Sequence, residues 1–86
     1  MSDHRAQCPC CDYFSLPCRG EYEICEVCFW EDDGGALGDL DEYSGPNHMT
    51  LREGRDNFRR IGACDDRALA HVLPVADRVR FRRVPR

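Results

Sequence analysis

Lysine is absent: all twelve basic side chains are arginine, a bias that genomic base composition accounts for as readily as function, and nothing is built on it. No apolar run approaches the roughly eighteen residues of a membrane span, and Met1 is followed by the polar stretch Ser2-Asp3-His4-Arg5 where a secretory signal would carry its apolar segment. These absences point to a cytoplasmic protein with no membrane partner. A reducing compartment disfavours a disulfide framework, and so does an odd cysteine count of seven. No set of nucleophile, base and orienting group can be named either, so no enzyme and no small-molecule substrate are predicted. At 86 residues the chain reads as a single domain, 1–86, in which apolar burial alone leaves stability marginal and a metal staple is a common remedy.

What is present supplies that staple. Cys8, Cys11, Cys25 and Cys28 form two Cys-x-x-Cys pairs separated by thirteen residues, slightly fewer than the 15–20 of the usual two-pair pattern. Two residues between ligands let one tight turn bring both sulfurs to the same ion, and two turns supply the four ligands of a tetrahedral structural zinc. One structural zinc ion is therefore the predicted cofactor. Four cysteines close the coordination sphere, whereas a catalytic zinc keeps a position open. In the first turn Pro9 fixes its φ, and Asp12, after the second ligand, suits a left-handed turn. Cys10 lies inside this turn and is an alternative ligand, but only Cys8 with Cys11 has the two-residue spacing. Cys18 and Cys64 stay outside the site.

Tyr13-Phe14-Ser15-Leu16 and Glu21-Tyr22-Glu23-Ile24 are short β-prone runs joined by Pro17-Cys18-Arg19-Gly20, which predicts a hairpin between the knuckles. The expected fold is a small α+β metal-bound domain. A zinc-ribbon-like β-hairpin over 8–30 is followed by an acidic loop over 31–49, two short helices over 50–73 and an Arg-rich tail over 74–86. Thr50-Leu51-Arg52-Glu53 fits a capping box, with Leu51, Gly54, Phe58 and Ile61 on one face and Gly62 at the helix end. Arg52, Arg55, Arg59 and Arg60 read as a solvated face. Asp65 or Asp66 caps a second helix through His71, ended by Pro74. Alternation from Arg78 to Arg82 predicts a C-terminal strand that sets its guanidinium groups beside the acidic loop, or else a flexible basic arm.

Charge is divided along the chain. Residues 1–48 carry eleven acids against two arginines, a net of −9, whereas residues 49–86 carry ten arginines against five acids, a net of +5. The acidic, glycine-rich loop lacks the ligand spacing of an EF-hand and is the first candidate for a partner-facing surface. Trp30, Asp32, Asp33, Asp39 and Asp41 are its candidate binding residues, and another protein is the expected partner. An immunity or antitoxin-like role fits a small acidic binder of basic nucleases. Two other classes compete. Nucleic-acid binding through Arg52, Arg55, Arg59, Arg60 and the tail would require the acidic half to face away. A thiol redox sensor would use Cys10, Cys11 or Cys18.

The run CPCCDYFSLPCRGEYEICEVCFWEDDG, with NFRRIGACDDR further on, resembles the bacterial cysteine-rich CPCC family over roughly residues 8–73. The resemblance implies a small, stand-alone, zinc-ribbon-like protein whose biochemical role is not established at family level. The chain departs from the family's pattern at Cys18, where a residue other than cysteine is usual, and the Arg-rich tail lies outside the resemblance.

Overall fold

The computed structural model describes residues 4–86. Each Cys-x-x-Cys pair forms a turn that closes on its own flanks. In the first, the Cys8 amide donates to the Tyr13 carbonyl at 2.8 Å and the Asp12 amide to Cys8 at 3.0 Å; in the second, Cys25 donates to Trp30 at 2.9 Å and Phe29 to Cys25 at 2.8 Å. The residue after each second cysteine is left-handed, Asp12 at φ 70° and Phe29 at φ 71°. Outside the turns, Ala6 pairs with Leu16 and Ile24 with Glu31. The Tyr22 amide donates to the Asp32 carbonyl and the Asp32 amide to Glu23. The predicted hairpin of Tyr13–Leu16 against Glu21–Ile24 does not form, because the first segment spends its backbone groups on Ala6, Cys8 and the tail and the second on Glu31 and Asp32.

The two-stranded sheet lies instead within the acidic stretch. β1 (Tyr43–Ser44) pairs antiparallel with β2 (Met49–Thr50) in the register Tyr43 to Thr50 and Ser44 to Met49. A short 3-10 helix, Leu37–Asp39, precedes it. Asn47, in the hairpin turn, mimics a strand partner: its side-chain oxygen accepts from the Glu31 amide at 2.9 Å and its nitrogen donates to the Glu31 carbonyl at 2.8 Å. The 31–49 segment is therefore built rather than irregular.

α1 (Leu51–Ile61) starts with both bonds of the predicted capping box, Glu53 amide to Thr50 Oγ1 and Thr50 amide to Glu53 Oε1, each 3.2 Å. Gly62, at φ 81°, ends it by donating to the Phe58 carbonyl. Its buried residues are Leu51, Gly54 and Arg55, and Phe58 is half-buried, edge-on to Tyr13. The second predicted helix is a 3-10 helix, Asp66–His71, with the Asp65 side chain accepting from the Arg67 amide.

The tail is ordered, but not as a strand over 78–82. Residues Val75–Arg80 form a third 3-10 helix, and Arg78 turns inward, donating to the Leu73 carbonyl and to the Gly62 carbonyl at the C-terminal end of α1, where a cation is favoured. Pairing with the knuckle begins later, where Tyr13 bridges Arg83 and the Phe14 amide donates to Arg82. The tail thus runs along the first knuckle rather than beside the acidic loop. The core these elements enclose is centred on Cys8, Cys11, Cys25, Cys28, Trp30 and Leu16. Among the described residues, no helix is long and apolar enough to cross a membrane.

Candidate metal centre

The sulfurs of Cys8, Cys11, Cys25 and Cys28 lie within 4.8 Å of one another, and they are the only such group of potential metal ligands among the described residues. The Cys8–Cys28 and Cys11–Cys25 sulfurs are each 3.7 Å apart. A tetrahedral ion with metal–sulfur bonds of about 2.3 Å needs ligand-to-ligand edges of about 3.8 Å, so the cluster has the dimensions of a four-thiolate site. All four side chains are at most 1% exposed, which leaves no open face. These four cysteines could hold one metal ion.

Electrostatics favours an ion here. Burial pushes the thiols of Cys8, Cys11 and Cys28 well above the ordinary thiol range. Burial acts in the same direction on Cys25, but hydrogen bonds from Cys11, Cys28, Cys8 and Ser15 outweigh it and hold Cys25 well below that range. One thiolate is thus stabilised by its neighbours, and ionising the rest requires a cation. Donors aimed at sulfur are already in place. The Ser15 hydroxyl is 2.9 Å from Cys25, the Val27 amide 3.3 Å from Cys25 and the Trp30 amide 3.4 Å from Cys28.

Three arginines from distant parts of the chain grip the carbonyls of the first knuckle. Arg55 donates to Pro9 at 2.6 Å, Arg83 to Cys11 at 3.1 Å and Arg86 to Cys8 at 3.1 Å. Arg55 and Arg86 also meet on the Asp12 carboxylate, at 2.8 and 3.0 Å. Burial alone would raise the Asp12 carboxyl, but hydrogen bonds from Arg55 and Arg86 win and lower it below its usual value. With side-chain exposures of 4% for Asp12 and 7% for Arg55, this is a buried ion pair, and the expected solvated face of α1 does not include Arg55. The sequence signal was its spacing: Arg55 follows Leu51 by four residues and shares its face. Ser15 carried no comparable signal.

The remaining three cysteines lie outside the cluster. Cys10 is buried but outside the cluster, its sulfur near Gly54 of α1. Cys18 is exposed, and Cys64 is buried, its thiol pushed up to about 12 by desolvation.

The five residues expected to face a partner do not form one surface. Trp30 is 1% exposed, so it is core and not a display residue. Asp32 is fully buried, accepting from the Gly20 amide at 2.7 Å, Arg19 Nε at 2.8 Å and the Gly34 amide at 3.1 Å. It fastens the 17–20 turn to the loop after the second knuckle. Asp33 accepts from the Gly35 amide and the Ser44 hydroxyl. Asp39 and Asp41 are exposed, Asp41 in a two-bond pair with Arg52. Trp30 and Asp32 are thus removed from the predicted face: the indole packs in the core, and the Asp32 carboxylate is satisfied by donors inside the fold.

No curated protein and no solved structure matches the chain. Residues 6–78 match the family described as cysteine-rich CPCC, a span that takes in both knuckles, α1 and the start of the tail. The four cysteines that could hold a metal ion are the first and last of the CPCC motif together with the Cys25–Cys28 pair, and the chain belongs to the cysteine-rich CPCC family.

Proposed function

We propose that the protein is non-catalytic, that its four cysteines bind one structural zinc ion, and that the body so stapled acts as a protein-interaction module. The observation that carries the reading is the complete burial of four sulfurs at tetrahedral spacing. Zinc suits this donor set, since it accepts four thiolates in a closed tetrahedron without redox change. When bound, it would cross-link the two knuckles and neutralise the thiolates, and the arginines on Cys8, Pro9 and Cys11 would offset the remaining negative charge.

An interaction role draws support from the charge left over after internal pairing. The tail arginines are largely engaged within the chain, Arg78, Arg83 and Arg86 on backbone carbonyls and Arg80 on Glu26. That engagement weakens the nucleic-acid alternative. By contrast, Asp39 and Glu42 are exposed and their carboxylates have no hydrogen-bond or ion-pair partner among the described residues. The test is affinity capture from cell lysate with metal-loaded protein, alongside a variant carrying Asp39→Asn, Asp41→Asn and Glu42→Gln. A partner retained by the wild type and lost by the variant supports the reading. No retained partner, or equal retention by both, contradicts it.

A further inference from the structure

The four clustered cysteines are alike in burial, none more than 1% exposed, yet their sulfurs differ in what donates to them. Cys25 Sγ has the Ser15 hydroxyl at 2.9 Å and the Val27 amide at 3.3 Å, and Cys28 Sγ has the Trp30 amide at 3.4 Å. Cys8 and Cys11 contact the sulfurs opposite them, at 3.7 Å each, and among the described residues no hydroxyl or amide donates to either. Ser15 stands apart from the two amides. Val27 and Trp30 each lie two residues past a ligand of their own knuckle, whereas Ser15 reaches Cys25 from the segment after the first knuckle. Its position is set by its neighbour Leu16, fully buried and bonded in both directions to the backbone of Ala6 at 2.7 and 3.1 Å, and Ser15 itself is 2% exposed. A hydroxyl has one proton to give, and the other acceptor within its reach, the Tyr13 carbonyl, is 3.5 Å away. A metal-bound cysteine carries no proton, so across the 2.9 Å contact the hydroxyl donates and the sulfur accepts.

We infer that Ser15 is a positioning residue of the metal centre: its hydroxyl donates to the Cys25 thiolate and makes the Cys25–Cys28 knuckle the retained half of the site, so that metal exchange and attack by electrophiles begin at Cys8 and Cys11. The inference rests on the four-thiolate reading and adds the order in which the site opens. A donor aimed at a sulfur stabilises its charged form and draws on the electron pair that a proton or an electrophile would take. Outer donors of this kind are worth about 10–100-fold in metal affinity. Among the described residues they fall on the second knuckle alone, and since burial is equal throughout, access does not offset them. Nor do the arginines. Arg55, Arg83 and Arg86 grip the carbonyls of Pro9, Cys11 and Cys8, which fixes the backbone of the first knuckle and leaves its sulfurs unassisted.

Full-length protein loaded with cobalt(II) reports on the sulfurs through its sulfur-to-metal charge-transfer bands and on the tetrahedron through its d–d bands. Ser15→Ala moves the charge-transfer bands to longer wavelength, because a sulfur that loses a donor is easier to oxidise, while the d–d bands keep their tetrahedral intensity. Ser15→Thr keeps the hydroxyl and leaves both sets in place. Zinc-loaded protein is then treated with limiting iodoacetamide, in which the cysteine sulfur forms the new S–C bond and iodide leaves, and the labelled sites are mapped by mass spectrometry. Cys18, which is exposed, serves as the reference. Among centres labelled once, Cys8 and Cys11 together exceed Cys25 by at least about tenfold in the wild type, and the excess shrinks in Ser15→Ala. Charge-transfer bands unmoved by Ser15→Ala, an equal shift in Ser15→Thr, or a wild-type Cys25 labelled as readily as Cys8 and Cys11 overturns the proposal. A wild type that takes up neither metal refutes the four-thiolate reading along with it, whereas a tetrahedral cobalt spectrum indifferent to Ser15→Ala refutes the role of Ser15 and leaves that reading standing.

Discussion

Replacing Gly54 by Ala sets two effects of known sign against each other inside one helix. An exposed glycine in a helix interior costs about 1 kcal/mol relative to alanine, so propensity alone predicts that Gly54→Ala stabilises α1. The structure predicts the reverse. A Cβ at Gly54 would sit 2.7 Å from Trp30 Cζ3, 3.0 Å from Trp30 Cε3 and 3.3 Å from Cys10 Sγ. Carbon atoms pack at about 3.5–4.0 Å, so α1 or the indole must yield by several tenths of an ångström. The indole has little freedom, because its residue is tied by the Trp30 amide to Cys28 Sγ and by the Trp30 carbonyl to the Cys25 amide, both within the second knuckle. Overpacking of this kind costs about 1–3 kcal/mol, which exceeds the propensity gain. The net destabilisation is about 1 kcal/mol, or roughly 4–8 °C in Tm for a domain of this size. Thermal unfolding at fixed excess zinc measures it. A Tm that is unchanged or raised would refute the claim that α1 is held against the second knuckle through bare backbone.

Asp12→Asn keeps a residue tolerant of the left-handed turn and removes the charge shared by Arg55 and Arg86; denaturant unfolding should show a loss of about 3 kcal/mol, the scale of breaking a buried ion pair. Because the Asp12 carboxyl is lowered in the folded protein, its contribution is fully present above the unfolded value of about 3.9 and disappears only as pH falls through the folded value. The difference between Asp12→Asn and wild type should therefore be flat from about pH 8 to 5, and a difference that vanishes by about pH 6 would exclude the carboxylate as its source. Deleting residues 82–86 removes the guanidinium groups on Cys8 and Cys11 and the tail's pairing with the first knuckle, and should speed metal transfer to a chromogenic chelator at least tenfold; an unchanged rate would show that the tail does not protect the centre.

Local signals in the sequence were strongest where a few adjacent residues settle the outcome. The two Cys-x-x-Cys spacings marked the cluster, and Thr50 with Glu53 and Gly62 marked both ends of α1, because knuckles and caps are closed by bonds within about five residues. Failures came where distant groups compete for the same backbone. Tyr13–Leu16 and Glu21–Ile24 have strand composition, but Cys8, Ala6 and Asp32 reach their backbone groups first. In the sequence Arg55 and Arg78 look like solvated or strand residues because their partners, Asp12, Pro9 and the carbonyls of Leu73 and Gly62, come close only after folding. Trp30 and Asp32 misled for the same reason. Acidic neighbours suggested an exposed stretch, while Gly54, Arg19, Gly20 and Gly34 provide the interior that accepts them.

Native mass spectrometry of the wild type and of each Cys→Ser variant, with metal identified and thiols counted, tests the four-cysteine centre most directly. One zinc ion per chain is predicted for the wild type and for the Cys10→Ser, Cys18→Ser and Cys64→Ser variants, with loss of tightly held metal in Cys8→Ser, Cys11→Ser, Cys25→Ser and Cys28→Ser. Metal retained in Cys11→Ser and lost in Cys10→Ser, or a wild-type chain that holds no metal when zinc is supplied, would contradict the account.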